Sequence, residues 1–263
     1  MPFTERLKYE ILGQLRVVDD RGSSFISARK IETLLAVLLI RSDQVVPSDQ
    51  LITEIWGETV PRRATAALHV YISQLRKFLK RPGRLDSPIV TRSAGYLLAT
   101  GDDEVDYQFF IRYADAGRAA ARAGRHDDAA VAFEAALALW RGPVLADLRY
   151  APMVDGFATW LMDARLECME LQADSLLHLG RHRELVGKLY SLTAEYPLRE
   201  GFYRQLMLAL YRSECRADAL KVYQSARDTL GTELGLEPCR ALQELQQAIL
   251  RADSDLDARV PAG

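Results

Sequence analysis

The spacing of apolar residues changes period along the chain, and each change marks a new kind of element. Over residues 8–18 apolar and polar positions roughly alternate, which is the period of a strand. Asp19-Asp20-Arg21-Gly22 then reads as a turn, and Ser23–Ser27 as a second short strand. From Ala28 to Arg41 the steps become three and four. Ile31, Leu34, Leu35, Leu38 and Leu39 make one helical stripe, with Ser27 placed to cap it and Ser42-Asp43-Gln44 to close it. A second helix starts at Pro47-Ser48, packs Leu51, Ile52, Ile55 and Trp56, and ends at Gly57. A third spans 62–80, with apolar residues at 64, 67, 68, 71, 72, 75, 78 and 79. Pro61 suits its first turn, where a missing N–H is harmless, and Arg81-Pro82-Gly83 stops it. Alternation returns at Ile89-Val90-Thr91 and Tyr96-Leu97-Leu98, which flank Arg92-Ser93-Ala94-Gly95 as a β-hairpin with a small basic tip.

Strands, three helices and a hairpin are the order of a winged helix-turn-helix, in which the third helix enters the DNA major groove. Thr100-Gly101-Asp102-Asp103-Glu104 interrupts the periodicity and reads as a domain boundary. Beyond it the pattern is wholly helical. Gly124-Arg125-His126, Gly180-Arg181-His182 and Glu214-Cys215-Arg216 punctuate Ala- and Leu-rich segments. The step from 180 to 214 is 34 residues, the tetratricopeptide period, and Pro197 falls where such a helix ends. The step from 124 to 180 is longer, with an insertion around Trp140-Arg141-Gly142-Pro143 to Pro152. Residues 231–238 read as a turn before a last helix, Cys239 to Arg251, and Ala252 to Gly263 as a disordered tail. The expected fold is therefore mainly α. It has a winged helix with small β-sheets and a wing hairpin at 1–104, an all-α tetratricopeptide-like repeat domain at 105–251, and a tail at 252–263.

Charge sharpens this picture. The net charge is −2, but between Arg62 and Arg92 there are eight cations and one acid, Asp86. The polar face of the third helix carries Arg62, Thr65, Ala66, His69, Val70, Ser73, Gln74, Lys77 and Lys80, with no acid. Taken alone, this is also what an ordinary basic surface helix looks like. Placed third and followed by a basic hairpin tip, it points to a nucleic acid. Arg62, Arg63, Arg76, Lys77 and Lys80 suit phosphates. Thr65, Ala66, His69, Val70, Ser73 and Gln74 suit base edges, the apolar pair meeting thymine methyls, and Arg92 suits the adjacent minor groove or backbone. The competing reading is a non-enzymatic repeat scaffold or adaptor whose winged helix binds protein. Such a wing has no need of the positive window.

No enzyme signature emerges. Gly180…Gly187-Lys188-Leu189 lacks the spacing and hydroxyl of a phosphate loop, and no nucleophile-and-base motif is present. His178 and His182 straddle a turn with no further ligand nearby, so neither a metal nor another cofactor is expected. Cys168, Cys215 and Cys239 form no CxxC pair and read as buried, reduced thiols. No apolar run is long enough to span a bilayer, and residues 1–10 do not resemble a signal peptide, so no membrane association and a cytoplasmic, nucleoid-associated location are expected.

The residues Ala28-Arg29-Lys30, Leu34-Leu35-Ala36, Val46-Pro47, Trp56-Gly57, Tyr71-Ile72-Ser73-Gln74-Leu75-Arg76 and Gly95-Tyr96 resemble the DNA-binding domain of the Streptomyces antibiotic regulatory proteins. That domain is similar to the winged helix of OmpR/PhoB response regulators. Val105-Asp106 through Gly231-Thr232-Glu233-Leu234-Gly235-Leu236-Glu237-Pro238 resembles the bacterial transcriptional activation domain that accompanies it. The resemblance implies a pathway-specific activator of secondary-metabolite (antibiotic) gene clusters, in the small form without receiver or ATPase modules. It implies binding to direct repeats of double-stranded DNA as a side-by-side dimer, and recruitment of RNA polymerase holoenzyme through its sigma factor. Ala64–Lys80 would be the recognition helix and Ile89–Leu98 the wing.

Overall fold

The computed structural model describes residues 6–81, 86–253 and 256. Pro82 and Gly83, expected to stop the third helix, and most of the expected tail lie outside the described residues. The chain forms two compact units, Met1–Arg112 with Ala136–Arg165, and Tyr113–Ala135 with Leu166–Gly263.

The first unit opens with β1 (Lys8–Glu10), β2 (Arg16–Asp19) and β3 (Gly22–Ser24). Residues 8–18, expected as one strand, are two antiparallel strands with Lys8 opposite Val18. Gly13 makes the break. Its φ of +152° suits glycine, and a Cβ there would lie 3.2 Å from the Arg141 Cβ. Next come α1 (Arg29–Ile40), β4 (Val46–Pro47), α2 (Ser48–Trp56), α3 (Ala64–Phe78), the hairpin β5 (Ile89–Arg92) and β6 (Gly95–Leu98), and β7 (Glu104–Val105). Ala28, not Ser27, is the N-cap of α1, and its carbonyl takes the N–H groups of Ile31 and Glu32. Leu34 through Leu39 are fully buried, so α1 is the core helix of the unit. Two sheets frame the three helices. One has the order β3-β2-β1-β7, and the other β4-β6-β5.

The acidic stretch 100–104 is part of this frame. Leu7 N–H donates to Asp103 Oδ1 at 3.0 Å, and β7 runs parallel to β1. The expected boundary at residue 104 falls inside β7. Asp106, 2% exposed, then accepts Ile11 N–H and Leu12 N–H at 2.9 and 3.0 Å. Residues 136–165 belong to the same unit. They dock on the winged helix through backbone bonds, Arg141 N–H to Leu12 O at 2.8 Å and Leu145 N–H to Gly13 O at 3.0 Å. Glu54 of α2 accepts Met153 N–H at 3.0 Å, and Tyr150 shares a 2.6 Å hydroxyl bond with Thr33 of α1. Burial of such a carboxyl disfavours its charged form, so the Glu54 pKa lies above the usual carboxylate value despite the Met153 N–H.

Further along the chain are α4 (Asp106–Arg122), α5 (His126–Leu137), a short 3-10 turn at Ala146–Leu148, α6 (Pro152–His178), α7 (His182–Glu195), α8 (Glu200–Arg212), α9 (Arg216–Leu234) and α10 (Arg240–Arg251). In the second unit the three expected turns lie between α4 and α5, α6 and α7, and α8 and α9. All use a left-handed residue, Gly124 at φ 74°, Gly180 at 73° and Glu214 at 65°. Glu214 shows that the repeat keeps the backbone turn even where it gives up the glycine. Leu177, Leu189, Phe202, Leu206, Met207, Ala219, Tyr223 and Ile249 are among the core of this unit. Gly117 lies under the Phe133 ring, where a Cβ would come within 2.6 Å.

Two expectations fail here. Gly231 continues α9, which runs to Leu234 and stops at the left-handed Gly235, so the turn before α10 is shorter than 231–238. Only Cys168 is buried; Cys215 and Cys239 are exposed because they occupy the N-cap positions of α9 and α10. Burial pushes the Cys168 thiol up to about 12, which leaves it unreactive. His178 stacks on His126 with ring centroids 4.2 Å apart.

Candidate nucleic-acid interface

Helix α3 turns the expected stripe inward. Ala64, Leu68, Ile72, Leu75 and Leu79 are buried, and Ala67, Tyr71 and Phe78 half-buried. Tyr71 stacks on Trp56 of α2 at 5.7 Å, and the Lys30 ammonium of α1 sits 5.1 Å from the Trp56 ring. That stack clamps α3 to the other two helices. The helix is shorter than 62–80. Arg63 is its N-cap and Pro61 lies before it, its carbonyl accepting Ala64 N–H at 3.0 Å. Pro61 therefore shapes the entering turn and is not a first-turn residue.

Thr65, Ala66, His69, Val70, Ser73, Gln74, Lys77 and Lys80 are all exposed, as are Arg62 and Arg63 ahead of the helix. Val70 is 52% exposed, an apolar side chain with no cover in the middle of a polar face. The first turn of α3 has no acid and no capping side chain. That turn carries the positive end of the helix dipole beside two arginines, an arrangement that favours a phosphate.

Arg76 is placed differently from the other cations. Its Nε and Nη2 donate to Ile89 O at 3.1 and 3.0 Å, and Nη2 also to Thr91 Oγ1 at 2.7 Å. These bonds tie the last turn of α3 to the first wing strand. Arg76 thus positions the wing, and the α3 face and the wing behave as one surface. Arg92 is exposed beside the two-residue tip Ser93-Ala94. The strands run one residue further into the tip than the sequence suggests, with Arg92 paired to Gly95.

Sequence reasoning missed β4, the third strand of the wing sheet. Val46 pairs with Tyr96 and Pro47 with Gly95. A Cβ on Gly95 would sit 2.0 Å from Val46 O, so only glycine allows this approach. A strand of two residues is too short to show a period, and Gly95 was its one visible sign. Among the described residues no group of three or more His, Cys, Asp or Glu is placed to hold a metal ion.

Two family models match the chain. Residues 26–98 match "Transcriptional regulatory protein, C terminal", and residues 105–250 match "Bacterial transcriptional activator domain". The chain belongs to the Streptomyces antibiotic regulatory protein family. It is 35% identical over 262 residues to the regulatory protein DnrI of Streptomyces peucetius, covering 97% of this chain and 96% of DnrI. It is 37% identical over 260 residues to the transcriptional regulatory protein EmbR of Mycobacterium tuberculosis, covering 98% of this chain. The chain spans 66% of the length of EmbR, just under two thirds. The solved structure of Mycobacterium tuberculosis EmbR in complex with a low affinity phosphopeptide superposes with a TM-score of 0.89 at 36% identity, over 95% of this chain and 66% of that one. Members of this family are transcriptional regulators, and the winged-helix plus helical-repeat architecture is theirs. No helix among the described residues is long and apolar enough to cross a membrane.

Proposed function

We propose that the chain is a sequence-specific DNA-binding activator of a secondary-metabolite gene cluster. It binds direct repeats near a promoter and recruits RNA polymerase. The observation that carries this reading is the outer face of α3, exposed, free of acid, and locked to a basic-tipped wing by Arg76. A protein partner would not need an acid-free face of this length. Thr65, Ala66, His69, Val70, Ser73 and Gln74 read base edges in the major groove. Arg62, Arg63, Lys77 and Lys80 hold phosphates, and Arg92 reaches the flanking minor groove or backbone. Arg76 positions the wing instead of contacting DNA.

On this reading residues 1–104 carry the DNA contacts and 105–251 present a surface to the polymerase and its sigma factor, with 252–263 as a tail. Two protomers lie side by side on tandem repeats in the cytoplasm, on the nucleoid. No step calls on a metal, a cofactor or a covalent intermediate.

A mobility shift on promoter DNA with excess random competitor tests the first claim, and a footprint at saturating protein tests the second. A competitor-resistant complex protecting two adjacent repeats is the expected result. A complex displaced by equal random DNA would overturn sequence-specific binding. Protection of one half-site would overturn the paired arrangement. Transcription from that promoter by purified polymerase should rise on adding the protein; no rise would overturn activation.

A further inference from the structure

The last turn of α9 and the residues after it stand clear of the fold. Residues 231–237 are all exposed, and the run ends where Pro238 is buried. Leu234 and Leu236 are 51% and 58% exposed. The segment is nevertheless firmly built. Gly235, left-handed at φ 69°, ends the helix. Its N–H donates to Gly231 O at 3.1 Å, and Leu236 N–H donates to Leu230 O at 3.3 Å. Arg227 Nε and Nη2 donate to the two carboxylate oxygens of Glu237 at 2.8 and 2.9 Å. Cys239 N–H donates to Glu200 Oε2 at 2.6 Å, which moors the base to α8. After a glycine-ended helix the next apolar residue commonly folds back on the last turn; here Leu236 stays exposed. The result is an apolar knob already ordered by backbone bonds, the form of an interface anchor. Residues 227–237 carry three acids, Asp228, Glu233 and Glu237, against one cation, Arg227.

A complementary recess lies toward the other end of α8. Asp174, Leu177, His178, Arg204, Leu208 and Arg212 enclose about 290 Å³. Leu177 and Leu208 supply its apolar lining. Its one acid, Asp174, accepts Arg204 Nη2 and Gln205 Nε2 at 3.1 and 2.9 Å. Arg212 is fixed by bonds to Leu177 O and Leu256 O at 2.8 and 2.9 Å. The lining thus sets two arginines and a histidine against one engaged acid, the opposite balance to that of the knob. Neither Leu234 nor Leu236 lines it. Leu208 stands about 12 Å along α8 from Glu200, the residue at the base of the knob. Held by the bonds above, the knob does not fill the recess of its own chain.

We propose that the knob of one copy of the chain enters this recess on a second copy. The inference rests on the direct-repeat reading above and names the contact that reading lacks. Direct repeats point the same way, so two copies bound to them are not related by a two-fold axis. Any contact between them therefore joins two different surfaces. Knob and recess are such a pair, leucine to leucine at the centre and acidic to basic at the rim. Both belong to the same compact unit.

Binding isotherms of the full chain test it, on a duplex with both repeats and on a duplex with one. The wild type should fill the paired repeats about tenfold more tightly than the single repeat predicts. Leu234→Ser and Leu236→Ser together should abolish that gain and leave affinity for the single repeat unchanged, since both side chains are exposed. Leu208→Glu should do the same from the side of the recess. An equal mixture of the knob variant and the recess variant should recover part of the gain, because an intact recess and an intact knob remain between them. Should Leu208→Glu disturb α8, the knob variant carries the test by itself. No gain in the wild type, or a full gain in the knob variant, would overturn the contact alone. Weaker binding of the knob variant to the single repeat would make the knob structural or a DNA contact, and would also overturn it. Unaltered paired binding with lost stimulation of purified polymerase would seat the knob on the polymerase and overturn the second copy as its occupant. A wild type that prefers neither duplex to random DNA would overturn the DNA reading itself.

Discussion

On the outer face of α3 the chain spends residues 65–80 on hydroxyls, an amide, an imidazole, an uncovered Val70 and cations, and leaves them exposed. At the seam with residues 136–165 it does the reverse. Asp106 and Glu54 are buried at 2% and 6% exposure, and both accept backbone N–H groups from distant parts of the chain. The α3 face presents its polar groups to solvent. The seam has polar groups whose partners are all internal. On the proposed reading the first arrangement serves an external contact and adds little to stability; the second contributes to stability and only indirectly to contact. Because both lie in the same compact unit, substitutions can separate them.

The largest effect should come from the seam. Asp106→Ala removes an acceptor that holds the N–H groups of Ile11 and Leu12 in a dry site, and should cost about 3 kcal/mol of unfolding free energy. Urea denaturation reads this, and a midpoint equal to the wild type would show that the seam is not a stabilising contact. Gly95→Ala comes next. It forces β4 and β6 apart at Val46 O and should cost roughly 2 kcal/mol, while loosening the wing. Retention of the wild-type melting temperature would contradict the close approach.

Glu54→Gln is milder and depends on pH. The amide oxygen still accepts Met153 N–H, so the change at neutral pH should stay within about 1 kcal/mol. Burial raises the folded-state pKa of Glu54 above its usual 4.5. The wild type therefore binds this proton more tightly when folded. Its contribution is fully present below pH 4.5 and is lost as pH rises through the folded value. Stability of the wild type relative to the variant should fall across that window, and a constant difference would contradict it. The smallest effect on stability belongs to the α3 face. Lys77→Ala should stay within about 0.5 kcal/mol of the wild type; a larger loss would mean that the face is structural.

The same contrast explains what the sequence reveals. The α3 stripe and its polar face were legible because period and charge are local properties; Leu68, Ile72 and Leu75 turn inward as their spacing requires. The seam was not legible. Ile11 and Asp106, or Glu54 and Met153, are joined over nearly a hundred residues, and nothing in either neighbourhood names the other. Asp103 read as part of the acidic boundary at 100–104 because its backbone partner leaves no mark in the sequence. The placement of Arg76 was hidden for a similar reason. Its type suits phosphate, but its position on the half-buried edge of α3 places it against β5.

The most direct test of the central claim compares binding isotherms of the wild type, Thr65→Ala, Ser73→Ala and Lys77→Ala on direct-repeat promoter and random duplexes at several salt concentrations. Thr65→Ala and Ser73→Ala should relax discrimination between the duplexes by roughly 1–3 kcal/mol at a directly read base. Lys77→Ala should weaken both duplexes alike and reduce the salt slope by about 0.9. Isotherms for all three variants that coincide with the wild type would contradict the assignment of the outer face of α3 as the DNA-reading surface.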